Sequence, residues 1–106
     1  MSSELAHLTT LFFAAARALA WHTGSLQERL ADAYADHLLL ITGDTLPSEL
    51  QPAFRELEER LTQAPADAAV DDPFQAATRG MSDEEARALI ERILMLYGRL
   101  AGAAAA

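Results

Sequence analysis

The chain has 106 residues, which is enough to close one hydrophobic core and too few for two. Half of the residues are apolar and 23% are charged, which excludes a disordered acidic tail. Sixteen carboxylates stand against eight arginines and no lysine, and the resulting net charge of −8 disfavours direct contact with nucleic-acid phosphates or an anionic membrane while leaving a basic protein open as a partner.

Alanine and leucine dominate, whereas aromatic and β-branched residues are sparse, so the composition favours helix over sheet. Ser3 caps a first helix that is predicted to reach about Trp21 and to stop before His22-Thr23-Gly24. Along it Leu5, Leu8, Phe12, Ala15 and Leu19 recur at spacings of three and four, the pattern of a seam for another helix. Leu11, Phe13, Ala14, Ala16, Ala18 and Trp21 make the other faces apolar as well, and a second chain is the simplest cover for them. Residues 1–24 therefore read as an added N-terminal helix and oligomerisation element of one domain spanning 1–106, with the seam as candidate contacts of a homodimer. Residues 11–20 also imitate an export signal. Glu4 is the only early charge, however, no basic segment precedes the run and Arg17 interrupts it, so the reading is a soluble cytoplasmic protein.

Ser25 and Glu28 form a capping box that opens a second helix. Leu26, Leu30, Ala33, Tyr34 and Ile41 project from one side, with His37 among them, until Thr42-Gly43-Asp44 breaks the helix. An imidazole on an apolar face is either buried and hydrogen-bonded or a pH-sensitive contact, and both readings stand for His37. The opposite side carries Glu28, Asp32, Asp36 and Leu39. Like charges every four residues are mutually unfavourable. Solvent and nearby arginines offset that in one reading; in the other the stripe is a docking face for a basic partner, with Leu39 as its apolar centre.

Pro47 and Pro52 bound a turn, or a single helical turn, before a third helix whose apolar face is Ala53, Phe54, Leu57 and Leu61, with Arg55–Glu59 and Glu56–Arg60 as expected outer pairs. Residues 64–72 read as the longest loop, and residues 73–78 as a short helical turn closed by Gly80. Ser82 and Glu85 repeat the capping box and open the last helix, whose predicted buried stripe is Leu89, Ile90, Ile93, Leu94, Tyr97 and Leu100. The expected architecture is an all-α compact bundle of four main helices with a short helical turn or two in the middle.

Chemistry is harder to find. No cysteine is present, which excludes disulfides, thiolate metal sites and a cysteine nucleophile. Ser25 and Ser82 serve as caps, and no nucleophile elbow or phosphate-binding loop occurs. Bundles that bind two metals use paired Glu-x-x-His motifs; Glu4-Leu5-Ala6-His7 matches once, and neither His22 nor His37 has a glutamate three residues before it. No cofactor and no catalytic residue are assigned.

Ser25-Leu26-Gln27-Glu28-Arg29-Leu30-Ala31-Asp32-Ala33-Tyr34 and Met81-Ser82-Asp83-Glu84-Glu85-Ala86 resemble segments of small uncharacterised bacterial helical proteins that pair such stretches around a proline-bearing middle. The resemblance covers residues 25–97, implies a helical fold and assigns no activity and no site residue. The leading expectation is a non-enzymatic interaction or accessory module that self-associates. The alternatives are an acidic inhibitor that mimics nucleic acid on a basic target, and a metal-binding bundle using Glu4, His7 and His37.

Overall fold

A computed structural model describes residues 3–63 and 73–105. The described residues form five α-helices: α1 (Ser3–Trp21), α2 (Leu26–Ala33), α3 (Gln51–Leu61), α4 (Pro73–Arg79) and α5 (Asp83–Ala105). A π-helical turn, Tyr34–Leu38, extends α2, and two 3₁₀ turns, Gly43–Thr45 and Ser48–Leu50, lead into α3. The fold is all-α, with the residues after Asp72 forming a helix of their own where a single turn was expected. The loop expected over residues 64–72 lies outside the described residues.

The helix starts follow from local chemistry. The Ser25 hydroxyl accepts from the Glu28 N–H and the Glu28 carboxylate accepts from the Ser25 N–H, at 3.1 and 2.9 Å. Ser82 and Glu85 make the same reciprocal pair at the head of α5. Pro52 sits in the first turn of α3, where its missing N–H has no intrahelical partner to lose.

One core runs through the molecule. Phe12 of α1 meets Phe54 of α3 edge to face with ring centres 6.0 Å apart, and Leu30, Tyr34, Leu38, Leu57, Leu61, Ile93, Leu96 and Leu100 close around them. The longest helix contact is α1 against α5. Leu8, Phe12, Ala15 and Leu19 are all buried in it, with Leu5 packed at its margin. The seam expected to serve a second chain is thus largely filled by the chain's own helices. On α5, Leu96 replaces Leu94 and Tyr97 in the buried stripe, and Leu94 stays 45% exposed. The charge pairs of α3 also differ from expectation, because Arg60 reaches Glu85 at 2.7 Å and Glu56 reaches Arg92 at 3.1 Å, tying α3 to α5 across the helix interface.

The second helix departs furthest from its predicted register. An i→i+5 turn rotates less per residue than an α-turn. Leu38 therefore comes to lie beneath Tyr34 and is fully buried, while His37 swings out of the core to a half-buried position. The α-type spacing had placed His37 on the apolar face, and the wide turn is the physical reason it is not there.

Candidate functional site

Two groups of polar and apolar side chains lie at opposite ends of α2. At its N-terminal end, Gly24 lets the chain turn tightly. A Cβ there would come within 2.6 Å of the Glu28 carboxylate and 2.7 Å of the His22 ring, so only glycine admits both. The Gly24 N–H donates to His22 Nδ1 at 2.8 Å, and the imidazole then carries its proton on Nε2, which donates to Asp32 at 2.6 Å. The other oxygen of Asp32 accepts from the Gln75 amide of α4 at 2.8 Å. Gln27 donates to the Met81 carbonyl and to Asp83, and Arg29 Nε donates to the Gly24 carbonyl. The Ser25 bonds hold the Glu28 carboxyl below its ordinary value, the backbone N–H contributing most. These groups knit α2, α4 and the head of α5 together. A polar depression of about 300 Å³ beside them is lined by Ser25, Gln27, Glu28, Gln75, Thr78 and Arg79. Its hydroxyls serve the backbone, Ser25 as a cap and Thr78 as donor to the Gln75 carbonyl, so neither is poised as a nucleophile.

The opposite end is built differently. The π-helical turn and the chain that follows it stand away from the first half of α1 and leave a cleft of about 460 Å³. Leu8 and Leu11 of α1 form one wall, Ala35, Leu39, Leu40 and Ile41 the other, and Glu4, His7, Asp36, His37, Thr42 and Thr45 edge it. The side chains of Leu39 and Leu40 are 42% and 93% exposed. Turns of π geometry recur where a helix is bent to serve a site, and here the turn supplies Ala35, Asp36 and His37 to the cleft.

A third surface runs along the outer side of α1. The Arg17 guanidinium lies 5.8 Å from the Phe13 ring centre and 5.1 Å from that of Trp21, and Phe13 packs on Tyr97 of α5 at 5.8 Å. Phe13 and Trp21 remain 48% and 74% exposed.

Compared with known proteins, the chain matches no described protein family, no curated protein and no solved structure. Its own geometry therefore carries the functional reading.

The expected acidic stripe is split by that geometry. Glu28 caps a helix and Asp32 braces His22 and Gln75, so neither is a free docking carboxylate. Asp36 and Leu39 stay together, at the cleft. Glu4, His7 and His37, the residues considered for metal, also meet there, but among the described residues no three His, Asp or Glu side chains gather closely enough to hold a metal ion. Leu40 is the cleft leucine that sequence reading passed over. The signal for Leu40 was present: Leu38-Leu39-Leu40-Ile41 is a run of four aliphatics, more than one face of one helix can bury.

Proposed function

We propose that this chain is a non-enzymatic protein-interaction module, a small accessory or regulatory domain whose contact surface is the cleft between α1 and the π-helical turn. The observation that carries the reading is Leu40, 93% exposed at the lip of an apolar cleft, beside Leu39 at 42% and between the buried Leu38 and Ile41. A contiguous apolar surface rimmed by polar groups is where soluble domains meet partners. In further support, Ser25 and Ser82 are committed to helix caps and His22 to bracing Asp32. No described helix is long and apolar enough to cross a membrane, and the cytoplasm is the proposed setting. The test is site-directed photo-crosslinking in extracts of the source cells, with the crosslinking amino acid placed at Leu40 or, as a control, at exposed Glu91. A discrete adduct from position 40 alone is the expected result; no adduct, or the same adducts from both positions, overturns the reading.

Self-association is a second reading, favoured by the exposed strip of Phe13, Trp21 and Leu94 along α1 and α5 rather than by the buried seam. Sedimentation at micromolar concentration is expected to show a dimer that Trp21→Ser together with Leu94→Ser converts to monomer. A wild-type monomer removes this reading.

A further inference from the structure

Resting on the cleft as the contact surface, we infer that its occupant is the apolar face of a basic amphipathic helix from a different protein. Three features of the cleft point to that chemistry together.

The first is charge. Among the described residues that line the cleft the formally charged side chains are Asp36 and Glu4, the latter already engaged in an interaction of its own, and no arginine lines it. Asp44, exposed between lining residues Thr42 and Thr45, makes the segment that edges the cleft acidic as well. The arginines nearest in sequence are engaged elsewhere, Arg17 over the Phe13 and Trp21 rings and Arg29 on the Gly24 carbonyl. A second copy of a chain of net charge −8 would bring carboxylates against carboxylates, and like-charge juxtaposition works against an interface. A helix with arginine or lysine flanking its apolar stripe meets the rim with the opposite sign, and its long side chains lay their aliphatic stems on the leucines as they reach the carboxylates.

The second is shape. Helix α1 forms one wall, the π-helical turn and the turn residues that follow it form the other, and the described residues contain no strand whose edge an extended peptide could join. A groove between helical segments takes another helix, read by apolar side chains spaced three and four apart. The third is extent. A small apolar molecule that filled 460 Å³ between Leu8, Leu11 and Ile41 would leave the outward side of Leu40 in water, whereas a helix lying along the cleft covers the cavity and its lip together.

The experiment uses the full chain and three synthetic peptides of about 15 residues, a length at which helix formation depends on docking. One has a leucine stripe with arginines on its polar face, one the same stripe with glutamates, and one the composition of the first with the leucines scattered. Isothermal titration measures affinity, and amide chemical shifts of Leu11, Asp36 and Leu40 locate binding. The arginine-stripe peptide is expected to bind at the cleft at least about tenfold more tightly than either control and to weaken as salt is raised to about 0.3 M. Asp36→Arg and Leu40→Ser are each expected to weaken it about tenfold or more, with unchanged circular dichroism. Asp36 is exposed and outside the core, so its variant tests the charge even if the leucine change disturbs folding. Equal binding of the arginine and glutamate stripes overturns the basic partner while leaving the interaction module standing. Equal binding of the scattered peptide reduces the effect to attraction by net charge and overturns it too. Saturation of the cleft by an apolar dye with no peptide binding assigns it to a small ligand. A dimer that Leu40→Ser dissociates assigns it to a second copy. Absence of all binding alongside a persistent Leu40 adduct overturns this inference alone, and loss of the adduct as well removes the reading beneath it.

Discussion

The two ends of the second helix are made from the same residue types and do opposite things. At the Ser25 end the side chains of His22, Ser25, Gln27, Glu28, Arg29 and Asp32 each meet a backbone group or another side chain, across spans as long as the 56 residues from Gln27 to Asp83. At the π-helical end Asp36 and His37 form no hydrogen bond with a described residue, and Leu39 and Leu40 face outward around a cleft. Glu28, Asp32 and Asp36 look equivalent at four-residue intervals. Their surroundings divide them, because the first two have donors within reach and the third opens onto a partly empty groove. Satisfied polar groups stabilise a fold, whereas unsatisfied exposed ones beside apolar surface are available for recognition.

The sharpest way to break this comparison lies at the end of the π-helical turn, between two leucines two residues apart. Leu38 is fully buried and Leu40 is 93% exposed. Leu38→Ala is expected to destabilise the chain by about 2–5 kcal/mol, because it removes buried methyl groups and leaves a cavity. Leu40→Ala should change stability by less than about 0.5 kcal/mol while weakening partner capture. Urea unfolding of the two variants decides the matter. Comparable losses would mean that the wide turn does not set the register described above.

That register is also the main thing the sequence left hidden. The helical class, both capping boxes and the buried face of α3 were legible, because each rests on steps of three or four residues: Ser25 to Glu28, Ser82 to Glu85, Phe54 to Leu57 and Leu57 to Leu61. The π-helical turn was not, since spacing arguments assume 3.6 residues per turn and a single wider turn displaces everything after it. The stripe of α5 was ambiguous for another reason. Leu94, Leu96 and Tyr97 are all apolar, and only the position of α1 decides that Leu96 is the one covered. Of the site, Asp36 and Leu39, grouped on one face by spacing, both line the cleft, but the roles of Glu28 and Asp32 were not separable. Asp32 is held by His22 across a glycine turn and by Gln75 from a distant helix, and no local pattern announces either bond.

A smaller effect sharpens the same contrast through the polar groups. Asp32→Ala removes the acceptor of both His22 and Gln75, and for these partly exposed bonds a loss of about 1 kcal/mol is expected. Asp36→Ala is expected to leave stability unchanged. Ser25→Ala should also cost about 1 kcal/mol, through the lost cap. It carries a pH signature as well. The folded-state value of Glu28 is lowered, so its contribution is present above the ordinary carboxylate range and disappears as pH falls through the folded value. The alanine variant should therefore lose some of the wild-type decline in stability on acidification. A decline of undiminished size would show that the cap is not what holds the Glu28 proton off.

The smallest expected effect concerns Glu58, which lies where α3 meets the start of the π-helical turn. Burial raises its carboxyl above the ordinary value, with Arg55 opposing the shift, and burial together with the Glu58 charge pushes the Tyr34 phenol up to about 12. Between the unfolded and folded values of Glu58 the folded chain binds more protons than the unfolded one, so stability falls as pH rises through that window. Below the window the carboxyl is neutral in both states and no penalty remains. Glu58→Gln keeps the shape and stays neutral throughout. It is expected to stabilise the chain at about pH 7 by less than about 0.5 kcal/mol and to match the wild type at about pH 3. If the variant is instead the less stable of the two at neutral pH, the attraction of Arg55 outweighs the loss of hydration, and Glu58 belongs with the satisfied carboxylates of the Ser25 end.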